Sequence, residues 1–194
     1  MVLSTDVETI NVALVHFPSL LHRSEDDNTL MAAELSKRLE DQEQKTRHSR
    51  TMLVGDLNLN PFSKAVVSAA GLHATMSQRL LAKGGRKVDG AHRKMFYNPM
   101  WRFLGDGGES PPGTYFHRSS SPSALFWHAF DQVLLRASLV QRLIDVKIVT
   151  RVAAHDLSTQ LGRPNKAKYS DHFPIVVRLS RPKLERVHVH FADS

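Results

Sequence analysis

Thr51-Met52-Leu53-Val54-Gly55-Asp56-Leu57-Asn58 is the stretch that decides how this chain is read. Thr51 to Val54 is a short apolar run with branched residues, which predicts a buried strand. Gly55 breaks the run, and an acid and an amide follow at Asp56 and Asn58. A strand that stops here delivers both polar side chains to the rim of a sheet. A carboxylate and an amide so spaced can hold a water and a phosphate oxygen together. Taken alone, the same residues also suit a plain turn, because Asx side chains hydrogen-bond their own backbone. Pro61 lies just beyond, and Pro61 to Ala70 reads as a helix stopped by Gly71.

Outward from that stretch, the pattern alternates between sheet and helix signals. Thr9 to His16 (TINVALVH) is rich in branched apolar residues and reads as a buried strand closed by Pro18. From Ser24 to Lys45, Met31, Leu35 and Leu39 recur at helical spacing among charges. Ser24 to Asp27 supply an N-cap and an acidic first turn. Residues 73 to 113 read as irregular, broken by Gly84-Gly85, Gly107-Gly108 and Pro111-Pro112. Further strands are expected at Gly113 to His117, from Phe130 to Leu135, at Leu143 to Val149, and at His172 to Leu179. Arg118 to Ser123 and Arg151 to Lys168 read as polar loops. The expectation is one mixed α/β unit over residues 1–180 with a tail at 181–194, where Val187, Val189 and Phe191 alternate.

The composition narrows the function classes. With 194 residues and 41% hydrophobic content, the chain has enough apolar mass for a core and is too short for several large domains. Cysteine is absent, which excludes disulfides and zinc-thiolate sites and fits a reducing, cytoplasmic setting. No apolar run is long enough for a membrane span, and the N-terminus lacks a basic-then-apolar leader pattern. The net charge of +7 and a pI near 9.9 favour partners that carry phosphates.

Three further motifs join Gly55-Asp56-Leu57-Asn58. Phe130-Asp131-Gln132-Val133-Leu134-Leu135 places an acid at the start of an apolar strand. Ser170-Asp171-His172-Phe173-Pro174 places polar residues before another. Val15-His16-Phe17-Pro18 closes a strand with a histidine. If the strands that end at these motifs run against those that begin there, the groups gather on one edge of the fold. So many titratable side chains at one mouth suggest catalysis or a bound cation.

At these residues the chain resembles the endonuclease/exonuclease/phosphatase superfamily, which includes DNase I-like nucleases, abasic-site endonucleases and inositol phosphate phosphatases. Gly55-Asp56-Leu57-Asn58, Asp131 and Ser170-Asp171-His172-Phe173-Pro174 look like its ordered signature, over about residues 9 to 180. The resemblance implies an α/β (α+β) fold, a DNase I-like four-layer β-sandwich with flanking helices. It also implies that the N-terminal portion is missing, because the family's opening Asn strand and its metal-binding Glu have no counterpart here.

By the same resemblance, His172 contacts the scissile phosphate or acts as acid/base, and Asp131 orients it. Asp56 positions or deprotonates the attacking water, Asn58 binds a phosphate oxygen, and His16 resembles a general acid for the leaving group. Asp171 helps hold Mg²⁺ or Mn²⁺. The implied activity is divalent-metal-dependent hydrolysis of phosphate esters, a nuclease first. The alternatives are an inactive nucleic-acid-binding or scaffold module, and a phosphatase of small molecules or lipid headgroups. Arg93, Tyr97 and Trp101, among Arg86, Lys87, Lys94 and Arg102, are expected on a basic, aromatic substrate-binding loop. An exposed sheet edge is expected to permit a homodimer.

Overall fold

A computed structural model of the chain describes residues 2–4, 8–19, 24–106, 108 and 110–181. The expected tail pattern at Val187, Val189 and Phe191 lies outside them.

Strand β1 (Val2–Ser4) and strand β2 (Thr9–His16) open the fold as an antiparallel pair. Helix α1 (Glu25–Thr46) follows, within one residue of the expected helix at each end. Ser24 caps it: its hydroxyl accepts the N–H of Asp27 while the Asp27 carboxylate accepts the N–H of Ser24, satisfying two end groups reciprocally. Strand β3 (Thr51–Asp56) runs parallel to β2, and α1 is the crossover that such a pair requires.

The predicted helix at Pro61 to Ala70 shrinks to α2 (Lys64–Val67). Ser68 turns to an extended conformation, and the Leu72 N–H returns to the Ala65 carbonyl instead of continuing a helix. The stretch expected to be irregular is structured. It holds β4 (Ala74–Thr75), α3 (Gln78–Leu81), the hairpin of β5 (Gly85–Val88) and β6 (Ala91–Lys94), then β7 (Phe96–Tyr97) and a 3₁₀ helix, Pro99–Phe103. The hairpin turns on Asp89-Gly90, both at positive φ (48° and 81°), a pair that matches the twist of a two-residue hairpin.

The remaining elements are β8 (Tyr115–Phe116), β9 (Trp127–His128), β10 (Asp131–Leu135), α4 (Ala137–Val140), β11 (Leu143–Ile148), β12 (Arg151–Val152), β13 (His155–Asp156) and β14 (Ile175–Leu179). The expected strand at His172 starts only at Ile175, because Phe173 spends its N–H on the Thr114 carbonyl.

The main sheet has the order β1-β2-β3-β10-β7-β4, and β11 and β14 form a second, antiparallel sheet. Side-chain alternation assigns the two faces. Leu53, Leu134, Ala13 and Val15 point to the α1 side and pack with Ala32, Leu39, Leu57 and Leu72. Met52, Val54, Val133 and Leu135 point the other way, against Val146, Ile148, Ile175 and Val177 of the second sheet. Residues Gln132 to Leu135 of β10 are buried on both faces, as a central strand should be.

The result is a mixed α and β fold with three layers among the described residues: helix, main sheet, small sheet. The four-layer arrangement expected from the resemblance is not present in them. The two-stranded sheet is too narrow to cover the main one, and Leu14, on the inter-sheet face of β2, remains 67% exposed. No helix among the described residues is long and apolar enough to cross a membrane.

Candidate active site

The site begins with strand register. His16 is paired with Asp56 across the parallel β2–β3 ladder, and Asp56 with Asp131 across the antiparallel β3–β10 ladder. Directly paired residues share a face. So the three side chains form one row across the sheet, at the end of the same inter-sheet face that buries Val54 and Val133. Two strands end at this rim and one begins there, which satisfies the directional condition set by the sequence.

Gly55 makes the row possible. A Cβ on it would lie 2.0 Å from the carbonyl oxygen of Val15, and its φ is +144°. Only glycine lets the ends of β2 and β3 approach this closely.

The loop after β3 locks Asp56. The Asn58 N–H donates to Asp56 Oδ1 at 2.7 Å, an Asx turn, and Asn58 itself sits at φ 49°. The Asn58 amide also donates to the Phe17 carbonyl at 2.8 Å and to Asp56 Oδ2 at 3.3 Å. Its N–H groups are thus engaged within the protein, and Asn58 ties the ends of β2 and β3 together.

His172 arrives from the segment before β14. Its Nδ1 lies 2.8 Å from Asp131 Oδ2. Thr114 arranges this meeting: its hydroxyl accepts the N–H of Asp131 at 3.1 Å, and its carbonyl accepts the N–H of Phe173 at 2.8 Å. His16 is looser. Its Nε2 is 3.6 Å from Asp56 Oδ2, and the side chain is 78% exposed.

Electrostatics differentiate these groups. Burial opposes charge on His172, but the Asp131 hydrogen bond and the charges of Asp131, Asp56 and Asp171 outweigh it. The imidazole therefore titrates above its ordinary value. Asp56 is also raised, first by burial and then by facing Asp131, against the opposing Asn58 N–H bond and the two histidines. Asp171 is lowered, chiefly by the hydrogen bond from Lys166 at 3.1 Å.

Beside the row lies a cleft of about 360 Å³, lined by Ser19, Asn58, Tyr115, His117, His128, Phe130, Asp171 and His172. Tyr115 packs 4.7 Å from the His172 ring and 5.4 Å from Phe130, and His128 stacks on Phe130 at 4.6 Å. The sequence reading missed Thr114, Tyr115, His128 and Asn60. The one available signal was Asn60 following Asn58 in the same loop.

Arg93, Tyr97 and Trp101 are not brought to this cleft, contrary to the expected substrate-binding loop. Tyr97 is paired with Leu135, at the end of β10 remote from Asp131. Arg93 lines a separate hollow with Lys37, His73 and Lys94, and Trp101 packs 6.2 Å from Phe62. The strand-like hairpin and the 3₁₀ helix carry these residues away from the rim.

The rim carries no preassembled cage for Mg²⁺ or Mn²⁺. No group of three or more His, Asp or Glu able to hold a metal exists among the described residues. Asp131 Oδ2 is engaged by His172 and Asp171 by Lys166. Mg²⁺ commonly binds through one or two carboxylates and completes its shell with waters and substrate phosphate, and Asp56 and Asp171 are the rim carboxylates that would hold it.

No protein-family model matches the chain, and no curated protein matches it either.

Proposed function

We propose that this chain is a hydrolase of phosphate esters built on the plan of the endonuclease/exonuclease/phosphatase superfamily, with a phosphodiester of nucleic acid as the first substrate class. The observation that carries the reading is the Asp131–His172 hydrogen bond of 2.8 Å, beside Asp56 in the same strand row and open to a cleft.

Each residue has a role in that reading. Asp131 accepts from Nδ1–H of His172 and fixes the tautomer, which leaves Nε2 to meet the phosphate or move a proton. Asp56, held by the Asn58 N–H, orients the attacking water. Asn58 is a positioning residue, since its amide protons hold Asp56 and Phe17. His16, solvent-facing beside Asp56, is placed to protonate a leaving group at the rim. The basic charge of +7 draws the polyanion in. No step is assigned to a divalent cation.

The net charge of +7 also suits a second reading, a nucleic-acid-binding module without turnover. The test is hydrolysis of plasmid DNA, a small phosphodiester and a small phosphomonoester, each with and without Mg²⁺ or Mn²⁺, with His172→Ala as control. Turnover lost in His172→Ala supports the hydrolase. Turnover that survives His172→Ala overturns the mechanism, and DNA binding without turnover favours the module. Preference for the monoester moves the substrate class to small phosphorylated molecules.

A further inference from the structure

We infer that His128 is a substrate-binding hydrogen-bond donor, held by Asn60 as the neutral Nε2–H tautomer and presented to the cleft beside His172. The inference rests on the phosphate-ester reading of that cleft and adds a residue that the reading does not use.

The tautomer follows from one amide. The Oδ1 of Asn60 accepts the backbone N–H of Ala129 at 3.1 Å. A backbone N–H can only donate, so that end of the amide is the oxygen. The other end, the NH₂, lies 3.0 Å from Nδ1 of His128. An amide NH₂ has only hydrogens to offer, so Nδ1 must accept and carries no proton. The ring proton therefore sits on Nε2.

Asn60 is itself anchored. Its carbonyl accepts the Ser63 N–H at 2.9 Å, and the preceding Leu59 carbonyl accepts the amide of buried Gln132. Gln132 in turn accepts from Asn98 at 2.7 Å. On the other side, the His128 carbonyl accepts the Thr114 N–H at 2.8 Å, and the ring stacks on Phe130. The ring is thus held by Asn60 at one edge and by Phe130 on one face, on a backbone pinned by Thr114.

Among the described residues, Nε2 of His128 has no hydrogen-bond partner, although the ring lines the cleft. Burial, with a smaller contribution from His117, holds its pKa below the ordinary value, in agreement with a neutral ring. The cleft thus presents two imidazoles of opposite character. His172 is biased towards the cation by three carboxylates, and His128 is fixed as a neutral donor. A neutral donor suits a phosphoryl or ester oxygen without adding a charge that must be desolvated.

The test uses the ¹⁵N-labelled full chain, with inorganic phosphate as the probe. Two-bond ¹⁵N–¹H spectra of the wild type are expected to show His128 protonated on Nε2 at neutral pH. Asn60→Asp is expected to move the proton to Nδ1 or charge the ring. Added phosphate is expected to shift His128 Nε2 in the wild type. His128→Gln, which keeps an N–H near the Nε2 position, is expected to hold phosphate within about threefold of wild type, and His128→Phe to weaken it roughly tenfold. An Nδ1–H tautomer, a His128 signal indifferent to phosphate while His172 responds, or equal affinity in His128→Phe overturns the inference. Those outcomes leave the hydrolase reading standing if His172→Ala still abolishes turnover. Conversely, a phosphate response at His128 without any turnover sinks the hydrolase and supports the donor role.

Discussion

The Nδ1 of His172 lies 2.8 Å from Asp131 Oδ2, although 41 residues of chain separate them. The bond joins the leading segment of one sheet to the first residue of a strand in the other. It makes the ring's tautomer a property of the fold. Asp131→Asn keeps the shape but offers Nδ1 a donor as readily as an acceptor. On the hydrolase reading, turnover of a phosphodiester is expected to fall about 10²- to 10⁴-fold. Unchanged turnover in a folded Asp131→Asn protein would sink the dyad.

The raised titration of His172 sets a pH dependence. A folded-state pKa above the ordinary value of about 6.5 means that the ring's charged interactions are fully present below that value. They are lost as pH rises through the higher folded value. The excess melting temperature of wild type over His172→Gln is therefore expected to be largest near pH 6 and to shrink towards pH 9. Thermal scans at several pH values check this, and a gap that widens with pH contradicts it.

Asp56 has the opposite consequence for stability. Its carboxyl is raised by burial and by facing Asp131. The folded state then holds its proton more tightly than the unfolded chain does. Stability falls as pH rises from the ordinary value of about 3.9 through the raised one. At neutral pH the charge costs stability. Asp56→Asn, which retains an oxygen for the Asn58 N–H, is expected to melt higher than wild type at pH 7 and to lose that advantage near pH 3. The same variant is expected to lose turnover. Lower stability at pH 7 would contradict the assignment.

Away from the rim, Glu43 and Arg136 form a buried pair. Each side chain is 2% exposed, and Arg136 Nε donates to Glu43 Oε1 at 2.9 Å. Lys94 adds a contact to Glu43 at 2.7 Å, and the guanidinium sits 3.9 Å over the Phe96 ring. Removing one partner strands the other charge, so Glu43→Ala is expected to cost about 3–5 kcal/mol in urea denaturation. The double change Glu43→Leu with Arg136→Met is expected to recover most of that loss. If single and double variants lose equally, packing and not charge explains the effect.

Gly55→Ala tests the close approach that builds the row. The added methyl would meet the Val15 carbonyl oxygen, a backbone atom that cannot step aside. A loss of at least about 2 kcal/mol is expected, together with displaced His16 and Asp56 resonances. A neutral effect would show that the strand ends are not held in this close contact.

Several elements were legible because their signals are local. The branched run Thr9–His16, the Ser24 cap with its acidic turn, and the apolar strands at Thr51 and Asp131 follow from periodicity and capping alone. The β5–β6 hairpin was missed although Asp89-Gly90 marks it, because its strands are polar and mostly exposed and so carry no hydrophobic alternation. The helix at Pro61 was overread because Ala65 to Ala70 has helical composition, while its end is set by contacts of Ala65 with Leu72 and Gly71.

By itself, the sequence determined which residue types stand at or just beyond strand ends: His16, Asp56 and Asp131 at them, Asn58 and His172 in the adjoining loops. Strand termini are dictated by where apolar alternation stops, and that is a local property. Only the tertiary structure decided which of them meet. Register placed His16, Asp56 and Asp131 in one row, Thr114 brought His172 to Asp131, and the hairpin carried Arg93 away. It also paired Asn60 with His128 across 68 residues. Such meetings depend on the packing of two sheets against each other, and no nearest-neighbour pattern along the chain encodes that distance.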